Sequence, residues 1–167
     1  MSAFVVGTLF TGIATCCERT TVSASGPGYQ YIEQTINENV VVLTEKIAEK
    51  YPIAPELIQA IVFYESSNIA RVQSKQGDTG YMQVNPKWHK ERMDKLGVTD
   101  LYDGYSNILV GTDYLVELCE KYHDIVTALM VYHGERNAVE RAEVGEISEY
   151  AKKILDLSEK LERLNGK

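Results

Sequence analysis

Apolar residues recur along most of this chain at steps of three and four, the spacing that keeps side chains on one face of an α-helix. Ile32, Ile36, Val40, Leu43 and Ile47 follow it from about Gln30 to Lys50. Tyr51-Pro52 ends the run, because a residue before proline avoids the helical region. A second helix is predicted from near Ala54, with Pro55 in the first turn where its missing N–H costs nothing. It continues through Leu57, Ile58, Ile61 and Val62 to Glu65. Residues 66–79 are polar and carry Gly77-Asp78, so they read as a loop. Asn85-Pro86 opens a short helix that stops near Gly97, with Asn85 as its cap. Ser106 or Asn107 caps the next helix, whose face carries Ile108, Gly111, Leu115 and Leu118. Asp124 caps another through Ile125, Ala128, Leu129 and Tyr132, and a final helix covers about Ile147 to Leu164. No sustained alternation appears, although Tyr81 to Val84 could pair briefly as a strand. The pattern predicts an essentially all-α fold with at most a minimal β element.

Two stretches break the periodicity. Residues 1–17 are strongly apolar, with no charged side chain before Glu18. That run is shorter than the roughly 20 residues of a comfortable membrane span and close to a signal-peptide core of about 7–15. It is expected to export or anchor the protein at the cell envelope, although no Lys or Arg precedes Arg19. Ile13-Ala14-Thr15-Cys16 has some likeness to a lipidation box, with Thr15 a poor fit before the cysteine; packing on the domain is a third reading. Residues 18–28 are rich in Ser, Thr, Gly and Pro, as a linker is. The folded domain is therefore expected to cover residues 29–167.

Of 167 residues, 44% are hydrophobic, enough for one domain with a real core. The net charge of -7 argues against nucleic acid, whose binding rests on Lys and Arg neutralising phosphates. Cys16, Cys17 and Cys119 form no C-x-x-C pair, and Cys119 reads as a small core hydrophobe. His89, His123 and His133 form no H-E-x-x-H arrangement. Neither a metal nor another cofactor is expected.

One residue stands out against this background. On a helical wheel Glu65 lies within about 20° of Ile58 and about 40° of Ile61, inside the apolar stripe. Burial there would disfavour its charged form and raise its pKa, as a general acid requires. The ordinary alternative is a carboxylate that ends its helix in solvent or pairs with a basic neighbour.

The surrounding residues resemble the catalytic core of soluble-type lytic transglycosylases, which share a lysozyme-like fold with goose-type lysozyme. Glu65-Ser66-Ser67 and Gly80-Tyr81-Met82-Gln83-Val84-Asn85-Pro86 are similar to that family's Glu-Ser and Gly-Leu-Met-Gln blocks. Asn107-Ile108, Gly111 and Tyr114-Leu115 are similar to its Asn-Ile-x-x-Gly-x-x-Tyr-Leu helix. Ala128-Leu129-Met130-Val131-Tyr132 and Glu149-Tyr150-Ala151-Lys152-Lys153-Ile154 complete an ordered set over about Ile53 to Leu155. The resemblance implies a lysozyme-like helical domain with a substrate cleft. It further implies Glu65 as catalytic carboxylate, with Ser66, Thr79, Met82, Gln83, Tyr132 and Tyr150 around the substrate. His133 stands where the family has an asparagine, which leaves the reaction type standing but alters substrate positioning.

The implied function is cleavage of the β-1,4 bond between N-acetylmuramic acid and N-acetylglucosamine in peptidoglycan, with formation of 1,6-anhydromuramyl ends. Glycosidases generally use two carboxylates. Asp78 could be a second one, although it reads more readily as a turn residue. With Glu65 alone, the reaction would be assisted by the substrate. A lysozyme-like hydrolase on the same fold and an inactive wall-binding or assembly module remain alternatives. Peptidoglycan strands are the expected partner, an envelope assembly partner is expected to localise the domain, and nothing demands more than a monomer.

Overall fold

The structure is a computed structural model and describes residues 36–167. The apolar segment, the linker and the beginning of the first expected helix lie outside these residues. Seven helices are described: α1 (Glu38–Ala48), α2 (Pro55–Ser66), α3 (Lys90–Leu96), α4 (Gly104–Tyr122), α5 (Ile125–Tyr132), α6 (Ala138–Glu143) and α7 (Glu149–Leu164). Among the described residues there is no β-strand, only two isolated antiparallel bridges, Gln73 with Thr79 and Thr79 with Val84. The strand-like stretch at Tyr81 to Val84 thus contributes one bridge and a turn.

Local chemistry sets most of the boundaries. Asn37 starts α1 by accepting the Asn39 N–H at 2.8 Å. Asp124 does the same for α5 through the Thr127 N–H, also at 2.8 Å. Ser148 caps α7 through the Ala151 N–H at 3.1 Å, placing its start two residues after Ile147. Asp103, rather than Ser106 or Asn107, caps α4, accepting the Ser106 N–H at 2.9 Å. Asn85 accepts the Lys87 N–H at 3.0 Å, but the turn it opens does not become helical until Lys90. α6 was not anticipated: Ala138 is its one buried residue, so it carries almost no periodic signal.

α2 is the central element, packed against α1 on one side and α7 on the other. Seven consecutive residues, Glu56 to Val62, are buried, as expected of a helix that is covered on all faces. α4 lies against α1, α3 and α5, and α5 also contacts α6 and α7. Ile58, Ile61, Met82, Ile108, Leu115, Leu129 and Ile154 are fully buried and join these elements in one core. Cys119 is a half-buried free thiol, and burial pushes its pKa up to about 11, so it is no nucleophile at neutral pH. No described helix is long and apolar enough to cross a membrane.

Candidate active site

α2 delivers Glu65 to the point where the core opens. Ile58 and Ile61 on the same helical face are sealed from solvent, whereas Glu65, one turn later, is only half-buried. Beyond it Ser67 and Asn68 turn the chain away with φ of 50° and 62°. Glu65 lies in the wall of a cleft of about 890 Å³, together with Asp78, Gln83, Tyr114, Tyr132 and His133. That size falls within the range of about 300–1,000 Å³ usual for ligand sites.

The floor of the cleft is the turn Gly80–Gln83, and Asn107 holds it in place. This buried side chain accepts the Met82 N–H at 2.8 Å and donates to the Thr79 and Leu101 carbonyls at 2.7 and 2.9 Å. Gly80 has φ 75°, and a Cβ there would stand 2.4 Å from the Asn107 amide, so the position needs glycine on two counts. Gly111 lets α4 approach just as closely, since a Cβ there would meet Met82 Sδ at 2.7 Å. Tyr132 then ties α5 to the turn by donating to the Met82 carbonyl at 2.9 Å. Gln83 completes it, donating to the Gly80 carbonyl at 2.9 Å.

Tyr150, from α7, donates its hydroxyl to Glu65 Oε1 at 2.5 Å. Burial and the adjacent Glu65 carboxylate hold that hydroxyl far above the usual tyrosine range, so it remains a donor. Its ring stacks on His133, with centroids 3.9 Å apart and planes 4° from parallel. His133 Nδ1 is 3.4 Å from Glu135 Oε1, and Arg141 binds the other Glu135 oxygen at 2.8 Å. Burial opposes the charge on Glu135, but Ser148, Arg141 and His133 outweigh it and lower its pKa.

Burial raises the pKa of Glu65, and Asp78 adds to the rise. Tyr150 and His133 oppose it without cancelling it. The cleft therefore presents one carboxyl group that keeps its proton at a higher pH than usual, beside a fixed hydroxyl donor. Such a group can protonate a leaving oxygen and afterwards accept a proton from a nucleophile. Asp78 is differently employed: its two oxygens accept hydrogen bonds from Asn85 at 2.8 Å and Ser74 at 2.7 Å.

Glu65, Met82, Gln83, Tyr132 and His133 all line the cleft, and Tyr150 joins them through Glu65. Two expected contacts are placed elsewhere. Ser66 is buried and donates back to the Val62 carbonyl at 3.0 Å. Thr79 is buried as well, and its hydroxyl is taken up by Gln73 and the Gly77 carbonyl, each at 3.0 Å. Both hold the backbone behind the cleft. Asn107 and Glu135 were missed as site organisers, although the Asn-Ile-x-x-Gly block contains Asn107. Among the described residues, no group of three or more His, Cys, Asp or Glu is arranged to hold a metal ion.

Comparison with known proteins identifies the family and the fold. A transglycosylase from Enterobacteria phage PRD1 is 40% identical over 88 residues, covering 53% of this chain and 32% of that protein. A membrane-bound lytic murein transglycosylase F from Desulfosudis oleivorans is 32% identical over 83 residues, covering 50% of this chain and 17% of that one. The matches thus take in well under half the length of these relatives. The fold is similar to that of the 70 kDa soluble lytic transglycosylase of Escherichia coli, with TM-score 0.61 and 19% identity over 78% of this chain and 25% of that one. An inactive mutant of the lytic transglycosylase Slt from Pseudomonas aeruginosa gives TM-score 0.52 and 22% identity, over 70% of this chain and 21% of that one. The family model of the transglycosylase SLT domain matches residues 43–154, from α1 into α7, and the chain belongs to that family.

Proposed function

We propose that this domain is a peptidoglycan lytic transglycosylase in which Glu65 serves first as general acid and then as general base. The half-buried Glu65, with its raised pKa and its bond from Tyr150, carries the reading. Glu65 gives its proton to the oxygen between N-acetylmuramic acid and N-acetylglucosamine, and the bond from muramyl C1 to that oxygen breaks. The carbonyl oxygen of the muramyl 2-acetamido group bonds to C1, forming an oxazolinium that stands in for a second carboxylate. Glu65 then takes the proton of the C6 hydroxyl, whose oxygen displaces the acetamido oxygen at C1. A 1,6-anhydromuramyl end results, with no water consumed. Gln83, Tyr132 and His133 hold the sugars in the cleft, and Met82 packs beneath its floor.

A hydrolytic outcome is the second reading. Asp78 favours it, because this second carboxylate shares the cleft and is close enough to raise the pKa of Glu65. Its two hydrogen bonds favour a role in fixing the loop.

The names of the relatives, lytic murein transglycosylases described as membrane-bound among them, support action at the cell envelope. We place the domain there as a monomer, exported or anchored through residues 1–17 and brought to its site by an envelope assembly partner. Digestion of purified peptidoglycan by the wild type and Glu65→Gln, with products weighed by mass spectrometry, tests the reaction. Anhydromuramyl ends from the wild type and none from the variant are expected. Reducing, hydrated ends would establish a hydrolase, and no release by either folded protein would point to a binding module.

A further inference from the structure

The cleft extends well beyond Glu65. It runs along α5 and α4 to α3 and the turn before it, where Tyr114, His89 and Trp88 join the lining. Tyr132 and Tyr114 have ring centroids 5.5 Å apart, and Tyr114 and His89 4.6 Å. The rings therefore form a series leading away from the acid, with Trp88 next to His89 in sequence. Burial and the nearby Arg92 lower the pKa of His89, favouring its neutral imidazole, although Glu117 opposes them.

Trp88 is the anomaly at the far end. Its side chain is 74% exposed, although an indole gains more from burial than almost any other side chain. A loose loop does not explain this. The Trp88 and His89 N–H groups both donate to the Asn85 carbonyl at 3.1 Å. Asn85 is itself buried and donates to Asp78 at 2.8 Å and to the Gln76 carbonyl at 3.1 Å. Lys87 Nζ stands 5.0 Å from the indole centroid, a cation–π contact that steadies the ring. The turn thus holds a large flat apolar surface out in the cleft, with an N–H at its edge. A pyranose ring has the matching shape: a face of C–H groups bordered by hydroxyls.

We propose that Trp88 is the stacking platform of a further sugar subsite, occupied by glycan strands that extend past the pair of sugars at Glu65. The inference rests on the reading of the cleft as a glycan site and adds that binding is spread along the strand, with Trp88 as its outer anchor. Longer strands bind more tightly than short ones for this reason, and a turn already fixed in place loses little freedom on binding.

Trp88 is the chain's single tryptophan, so its emission reports on this position alone. The test uses the full chain carrying Glu65→Gln, titrated with soluble muramyl–glucosaminyl oligosaccharides of two to eight sugars and followed by calorimetry and fluorescence. With eight-sugar strands the emission is expected to shift to the blue and acrylamide quenching to fall several-fold; with the disaccharide both should stay nearly unchanged. Adding Trp88→Ala should weaken binding of the eight-sugar strand about tenfold, and Trp88→Phe should restore most of it. Strands that bind by calorimetry with unaltered emission, and with equal affinity after Trp88→Ala, would overturn the subsite while leaving the cleft a glycan site. If no oligosaccharide binds to the folded protein, the glycan reading of the cleft fails and the subsite fails with it.

Discussion

Glu65 and Tyr150 are brought together from 85 positions apart in the chain, and each alters the other's chemistry. Burial favours the protonated carboxyl, while the Tyr150 hydroxyl favours the carboxylate by donating to it. The sign of the pH dependence follows. If protonated Glu65 starts the reaction, kcat/KM declines as pH rises through a pKa above the ordinary 4.5. Tyr150→Phe removes the bond that favours the carboxylate, so the alkaline limb should move to higher pH while the maximum rate falls roughly tenfold. A pH–rate profile of both proteins checks this, and an unmoved limb would separate Tyr150 from the acid. The sequence made Glu65 legible, because a carboxylate inside an apolar stripe violates the local pattern. It could not show that His133 stacks on Tyr150, since that contact joins α7 to the segment after α5.

Among the elements, the long periodic helices were the legible part. α4 buries the predicted face of Ile108, Gly111, Leu115 and Leu118, whereas α2 buries its predicted apolar positions and the polar ones between them. α6 was not legible, because one buried alanine in six residues carries no period. The start of α4 was misjudged for a related reason: Ser106 and Asn107 are good caps, and only tertiary structure shows Asn107 drawn inward to the Gly80–Gln83 turn. Ser66 and Thr79 teach the same lesson, as hydroxyls beside the expected catalytic residues that are taken up by nearby carbonyls and, for Thr79, by Gln73 as well. Asn107→Ala would leave one buried N–H and two buried carbonyls without their partner. A stability loss of about 3 kcal/mol is expected, read from urea unfolding, together with lower activity as the turn loosens. A loss below about 1 kcal/mol with full activity would mean that water had taken over its bonds.

At the scale of the molecule, the chain closes on itself at the opposite end of α2. Glu56, 1% exposed, accepts Lys167 Nζ at 2.8 and 3.0 Å and Asn165 Nδ2 at 2.7 Å. Burial alone would raise the pKa of Glu56, but Lys167 and Asn165 bring it below the ordinary 4.5. Its contribution to stability is therefore complete above that pH and is lost as the pH falls through the lowered value. Removal of residues 165–167 should cost about 2 kcal/mol at neutral pH, and the deficit should close as the solution is made strongly acidic. Thermal unfolding of both proteins at several pH values would show it; a deficit independent of pH would assign the loss to packing instead.

α2 thus carries a glutamate in its first turn and another in its last, and the two are pushed in opposite directions. The peptide dipoles of a helix sum to about half a positive charge at its start and half a negative charge at its end. α2 is buried along most of its length, so water screens this field poorly. Glu56 sits at the positive pole, which favours its ionised form. Glu65 sits at the negative pole, so the backbone itself adds to the forces that keep a proton on the acid facing the cleft.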